Sequence, residues 1–243
     1  MPLDESGALH AYGVLGVEEV RPGDDVGALL ADALGDARTS ELRDGDVVVV
    51  TQKIVSKAEG RLVPLDHADP AAKRSVVEAE SVRVLRRRGD LVISETAHGF
   101  VCANAGVDLS NVEEGWAALL PVDSDRSARR IRAELRRRLS VLVGVVISDT
   151  FGRPWRQGVT DIAIGVAGVA GVVDLRGTLD ATGRELVATQ VCVADELAAA
   201  AELVMGKDRG IPAAVVRGVP PSWLRDGSVR EEVVRGHETD LFR

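Results

Sequence analysis

The apolar run Val141-Leu-Val-Gly-Val-Val-Ile147 passes without a spacer into Ser148-Asp-Thr-Phe-Gly-Arg-Pro-Trp-Arg-Gln-Gly158. A strand held by packing must therefore deliver an acid, a hydroxyl and two arginines to its own exit, where charge can face solvent or ligand without being buried unpaired. Asp149 and Thr150 offer hard oxygens to a divalent cation, and Arg153 and Arg156 offer donors to phosphate. The same segment also reads as a solvated turn stopped by Gly152 and Pro154. Taken alone, it leaves both readings open.

Other elements follow from pattern. Asp46-Val-Val-Val-Val-Thr51, after the turn-like Arg43-Asp-Gly45, is a second buried strand. A further strand over residues 54–56 is predicted to turn through Glu59-Gly60-Arg61 into Leu62-Val63, a hairpin with its loop near Lys53 and Lys57. Asp69-Pro70 caps and opens a helix to about Ser81. Val82 and Val84 alternate with arginines, Gly89-Asp90 offers a turn, and residues 91–95 and 100–102 read as strands. Connections this short favour antiparallel pairing. Asp123 or Ser124 caps a helix carrying Ala128, Ile131, Leu135 and Leu139 at three- and four-residue spacing. Ile162, Ile164 and Val166 alternate as a strand, and a glycine-punctuated stretch follows. A long helix is predicted from about Thr189 to Met205, ended by Gly206 or Gly210 ahead of Pro212. Residues 213–216 form a last buried strand. The mixture is α+β, with no internal repeat and no regular βαβ series.

The 243 residues can sustain a substantial core, as one large domain or two small ones. With 38 acidic against 30 basic residues the net charge is −8, which argues against sequence-independent nucleic-acid binding. The clusters Arg86-Arg87-Arg88 and Arg136-Arg137-Arg138 end periodic elements and read as solvated faces. Cys102 and Cys192 have no metal-like or CxxC spacing, so neither a disulfide framework nor a zinc site is expected. No apolar run approaches the roughly 20 residues that span a bilayer, and the start lacks a basic region followed by an apolar one. A cytoplasmic protein with no membrane association is expected.

A second polar cluster, Asn104-Ala-Gly-Val-Asp-Leu-Ser-Asn111, leaves the strand at residues 100–102 as the first leaves its own. If the two ends lie side by side, Asp108 and Asp149 pair, which is costly unless a cation or proton neutralises them. An Asx-type turn at the Gly106 bend is the structural alternative for Asp108 and Asn111. Lys57 could reach a phosphate, or be an ordinary surface lysine. Glu18-Glu19 and Pro22-Gly-Asp-Asp25 read as a polar loop. His10, His67, His98 and His237 are scattered, and none is assigned a catalytic role.

Five blocks in one order carry a resemblance: Gly16-Val-Glu-Glu-Val-Arg-Pro-Gly-Asp-Asp25, Asp46-Val-Val-Val-Val-Thr-Gln-Lys-Ile-Val-Ser-Lys57, the block over residues 104–111, Ser148-Asp-Thr-Phe-Gly-Arg-Pro-Trp-Arg156 and Val204-Met-Gly-Lys207. Over about residues 12–220 the chain resembles the coenzyme F-420-0:gamma-glutamyl ligases. The resemblance implies a GTP-dependent enzyme that joins L-glutamate to coenzyme F-420-0 and adds further gamma-linked glutamates, releasing GDP and phosphate. It also implies a two-lobed α+β fold with mainly antiparallel sheets and flanking helices, assembled as an intertwined homodimer. By motif, Val17, Glu18, Glu19, Val20, Gln52, Lys57, Asn111, Met205, Gly206 and Lys207 would contact GTP. Asp108, Asp149 and Thr150 would hold two divalent ions, Mg²⁺ or Mn²⁺, with potassium also expected. Lys57, Asp149 and Arg153 would be catalytic, acting through an acyl phosphate.

Two positions depart from the family pattern. Gln52 stands where a serine or histidine is usual, and Lys207 stands where archaeal members carry a metal-ligating glutamine. A protonated lysine has no lone pair, so Lys207 is expected on phosphate. Actinobacterial relatives often continue into a nitroreductase-like domain that binds a flavin. That domain is not expected here, nor is flavin, although Thr239-Asp-Leu-Phe-Arg243 resembles the start of the connection. The alternatives are a nucleotide-dependent ligase or phosphotransferase acting on another carboxylic acid, and a non-catalytic nucleotide-binding module.

Overall fold

A computed structural model of the chain describes residues 7–35, 41–66 and 69–241. His67 and the last two residues of the 239–243 segment lie outside them. The described strands are β1 (His10–Gly13), β2 (Val47–Thr51), β3 (Leu62–Pro64), β4 (Ser81–Arg88), β5 (Leu91–Thr96), β6 (Val101–Ala103), β7 (Trp116–Ala118), β8 (Gly144–Arg153), β9 (Arg156–Ala167), β10 (Val173–Asp174), β11 (Gln190–Val191) and β12 (Ala213–Arg217). The α-helices are α1 (Val26–Leu34), α2 (Gln52–Ala58), α3 (Pro70–Ala79), α4 (Ser124–Leu139) and α5 (Val193–Met205). The architecture is mixed α+β, and its sheets are mainly antiparallel.

The two β-branched runs become neighbours. β2 and β8 pair in parallel, from Val47 opposite Gly144 to Thr51 opposite Ser148, inside a five-stranded sheet ordered β1-β12-β2-β8-β9. All its other pairs are antiparallel. Successive strand side chains point to opposite faces, so Val48, Val50, Val145 and Ile147 enter one core while Val47, Val49 and Val146 enter another. Leu30 and Leu34 of α1, with Ile131 and Leu135 of α4, close the first. Leu197, Ala201 and Met205 of α5 close the second. Both faces are covered, so the strand reads as an unbroken apolar run. Each fully buried valine of Val47–Thr51 contributes about 1.5–3 kcal/mol. A third, smaller cluster, including Leu65, Val77, Val92, Val107 and Leu119, lies among α3, β3, β5 and the segments flanking β7.

Caps agree with the sequence. Asp69 accepts from the Ala71 N–H ahead of Pro70, and Asp123 accepts from the Arg126 N–H. The first turn of α4 is fastened to the sheet by Asp125, which accepts from the Val166 and Val229 N–H groups at 2.8 and 3.1 Å and from Ser228 Oγ at 2.7 Å. Close approach there requires Gly165, since a Cβ would stand 2.4 Å from the Ser124 carbonyl carbon.

Four expectations change. Residues 54–56 are helical, within α2, because Ile54 and Val55 bury on one side while Gln52 Nε2 donates to Ser56 Oγ and to the Leu119 carbonyl. The predicted hairpin into Leu62-Val63 is absent for the same reason, and β3 pairs with β7 instead. The long helix begins at Val193, since Gln190–Val191 is taken up by pairing with β10. Finally, residues 148–153 continue β8 as one arm of a hairpin with β9, rather than leaving the strand. The turn is Pro154-Trp155, with Trp155 in the left-handed region at φ 58°.

Candidate active site

Where the parallel pair ends, at Thr51 and Ser148, a cavity of about 910 Å³ opens. Clefts beyond the carboxyl ends of parallel strands are common ligand sites, because strand ends expose polar groups that the sheet itself holds rigid. Val17, Glu18, Glu19 and Val20 form one wall. Gln52, Lys53 and Lys57 come from α2; Asp108 and Asn111 come from the loop after β6; Asp149 and Thr150 come from β8; and Gly206 and Lys207 follow α5. Twelve of the residues singled out from sequence thus share one cavity. Met205 is fully buried in the core beneath α5, and Arg153 lies at the exposed end of the hairpin, so neither lines it. Arg156 is exposed beside Arg153. His98 lies outside the lining, its ring stacked on Phe100 and its Nε2 2.8 Å from the Pro121 carbonyl oxygen.

Asp108 is presented by a backbone that few residues adopt. Asn104, Ala105 and Gly106 all have positive φ, at 52°, 53° and 73°, and a Cβ on Gly106 would strike Leu120 at 2.7 Å. The chain then forms a bridge with Ala118, and the Asp108 carboxylate splits its work. One oxygen accepts from the Ser110 N–H at 2.7 Å, the Asx-type turn anticipated above, and the other accepts from Lys53 Nζ. Burial works to raise this carboxyl, but the Lys53 charge and hydrogen bond, with Ser110, outweigh it and hold it below the usual range.

Asp149 behaves in the opposite way. Part of its side chain faces the cavity, yet protein encloses it at longer range, and that burial pushes its carboxyl up to about 7. The Thr150 N–H and the Lys53 ammonium pull it down, whereas Asp108 and Asp161 push it up. The two aspartates therefore do sense one another.

Three charged residues of the cavity lining escaped the sequence reading. Asp161 on β9 stands opposite Thr150 and is 2% exposed; it accepts from Thr150 Oγ1 at 2.6 Å and from Ser148 Oγ at 2.9 Å. Glu202 on α5 lies 3.5 Å from Lys207 Nζ. Lys53 is the partner of Asp108. The signal for Asp161 was a charged residue directly ahead of the apolar run Ile162–Ala167, usable only once the hairpin register is known.

Residues 15–218 match the family model for F420-0:gamma-glutamyl ligase. The chain belongs to that family. Among its relatives is a coenzyme F420:L-glutamate ligase of Methanothermobacter thermautotrophicus, 46% identical over 251 residues that cover 97% of this chain and 99% of the relative. Another, of the same description, from Methanopyrus kandleri, is 43% identical over 242 residues, covering 93% and 94%. A third, from Archaeoglobus fulgidus, is 38% identical over 249 residues, covering 97% and 96%.

In this F420-0:gamma-glutamyl ligase family member, the oxygens that could hold a divalent cation are those of Asp108, Asp149, Thr150 and Asp161. Among the described residues no three His, Cys, Asp or Glu side chains are grouped as a ready ligand set. The donor chemistry nevertheless fits a hard cation, because carboxylate and hydroxyl oxygens line the same cavity and Asp149 is an acid largely enclosed by protein. The cavity as a whole is also acidic. Glu18, Glu19, Asp108, Glu113, Asp149, Asp161 and Glu202 face only Lys53, Lys57 and Lys207.

Proposed function

We propose that the chain joins L-glutamate to coenzyme F420-0 and extends the product by further gamma-linked glutamates, with GTP as phosphoryl donor. The observation that carries this reading is that segments from all five family blocks meet in one cavity, within a chain whose relatives are coenzyme F420:L-glutamate ligases.

A carboxylate resists attack by an amine until one of its oxygens becomes a leaving group. Transfer of the GTP γ-phosphoryl group to the substrate carboxylate supplies that leaving group and releases GDP. The glutamate amine then attacks the carbonyl and displaces inorganic phosphate. Phosphoryl transfer needs positioning and charge neutralisation more than covalent help. Lysines 53, 57 and 207 supply positive charge, and Glu19 holds Lys57 at 2.6 Å until a phosphate takes its place. A lining with seven acids and three lysines would repel a nucleotide, which supports divalent ions at Asp108, Asp149 and Thr150. Such ions, Mg²⁺ or Mn²⁺, would screen the phosphate oxygens. Val17 to Val20, Gln52 and Asn111 would seat the nucleotide, Met205 would act from the core by fixing Gly206, and Arg153 would contact substrate beyond the cavity.

A two-lobed arrangement and a homodimer belong to the same reading. The homodimer is supported by the edge strand β4, whose Val82 and Val84 are exposed and whose pairing edge a second copy could cover.

The test incubates the protein with F420-0, L-glutamate, GTP and Mn²⁺ or Mg²⁺ and reads product masses, using ¹⁸O in the substrate carboxylate. Glutamate addition with one ¹⁸O delivered to phosphate is expected. No added glutamate would sink the assignment; addition without ¹⁸O transfer would sink the acyl phosphate alone.

A further inference from the structure

Lys207 occupies a position that ordinary surface lysines do not. It follows Gly206, which turns the chain at φ 61°, and its Nζ donates to Thr150 Oγ1 and to Asp161 Oδ1 at 3.0 Å, with Glu202 Oε1 at 3.5 Å. An ammonium has three N–H donors. Here it meets three oxygens from three separate elements, β8, β9 and α5. One of those oxygens belongs to Asp161, an acid buried in the sheet whose other contacts are neutral hydroxyls. A buried carboxylate needs a cation close by, and its removal is costly.

We propose that Lys207 is a built-in cation: its ammonium fills one positive-charge position of the cavity from the protein itself, and so keeps a further divalent ion, beyond any held on the Asp108 and Asp149 side of Thr150, out of the space enclosed by the Thr150, Asp161 and Glu202 oxygens. The exclusion is steric as well as electrostatic. A metal ion bound to these oxygens at roughly 2.0–2.6 Å would overlap an ammonium hydrogen-bonded to the same atoms. Without the ammonium, two carboxylates and a hydroxyl remain around a vacated space, a set that suits a hard divalent ion completed by water. The inference rests on the proposed reading only in treating the cavity as a cation and polyanion site, and its test needs no turnover.

The experiment counts Mn²⁺ ions bound per chain, from the free-ion electron paramagnetic resonance signal, for the chelator-stripped full chain and the variants Lys207→Met, Lys207→Gln and Lys207→Met/Asp161→Asn. Lys207 is half exposed beyond the end of α5, and thermal unfolding checks that each variant folds. One more Mn²⁺ per chain in both single variants than in the wild type, lost again in the double variant, is expected. Equal counts in the wild type and both single variants overturn the inference. The Asp108–Asp149 metal reading is judged separately by the wild-type count: no ion in the wild type and one in Lys207→Met would uphold the built-in cation while removing that reading.

Discussion

Thr150 on β8 and Asp161 on β9 stand opposite one another in register, and the Thr150 hydroxyl donates to the Asp161 carboxylate at 2.6 Å. The contact ties the residue that faces the cavity to a buried acid on the neighbouring strand, so the position of Thr150 Oγ1 is set by the sheet.

Asp161→Ala should therefore disturb both fold and site. It leaves the Ser148 and Thr150 hydroxyls without their acceptor and takes away one of the three oxygens around the Lys207 ammonium. Loss of such contacts costs about 1–3 kcal/mol. Urea unfolding should show that loss, and ligation should fall by about 10–100-fold, as for other supporting partners of a site. Unchanged turnover would remove Asp161 from the site.

The pH dependence of stability should carry the mark of Asp149. Its carboxyl rises from 3.8 to about 7 on folding, so between those values the folded chain keeps a proton that the unfolded chain has released. Stability from that proton is complete below the unfolded value and is lost as pH rises through about 7, with a slope approaching about 1.4 kcal/mol per pH unit. Asp149→Asn should flatten this part of the profile in chelator-treated protein. Parallel profiles for the two proteins would contradict the shift.

Asp125→Ala tests the attachment of the C-terminal segment. Val166 and Val229 would each lose the acceptor for a buried N–H, at about 1–3 kcal/mol per group. Earlier proteolysis around residues 228–234 and a lower melting temperature are expected.

Both cysteines should be inert in the folded chain. Burial pushes Cys102 up to about 12, helped by the charge of Asp149, and burial does the same for Cys192, helped by Asp195. At pH 8 alkylation should run about a thousandfold slower than in urea, following the thiolate fraction. Fast labelling of the native protein would be inconsistent with the packing around both.

What the sequence made legible was whatever local chemistry decides. Four consecutive valines, Val47 to Val50, can hardly be anything but a two-sided buried strand, and Asp69-Pro70 announces a helix start through its cap and its missing N–H. α2 was hidden because residues 54–56 are too few to show a period. Its helical state is supported by Gln52 and Ser56 meeting the Leu119 carbonyl, a partner more than sixty positions away. Within the site, Asp108 and Asp149 were found because each follows an apolar run, and Asp161 was missed because its meaning depends on register. With the turn at Pro154-Trp155 and regular pairing, Val159 would stand opposite Thr150; the register shift between Gly152 and Arg153 brings Asp161 there instead. Lys53 was equally obscure, since its partner Asp108 lies 55 positions on.

The strand order has a consequence for how the molecule is made. β12 is inserted between β1 and β2, so the first of the described strands has no lateral neighbour in the sheet until the last of them emerges. Pairings that span so much chain form slowly, and an unfilled strand slot is exposed to wrong partners meanwhile. The wall formed by residues 17–20 follows β1 directly, and the Val14 N–H closes onto the Ala213 carbonyl at 2.8 Å. A ribosome-bound chain lacking β12 would thus hold the valines and aspartates of the site but no enclosed cavity, and its ability to bind ligand should arrive in one step with that strand.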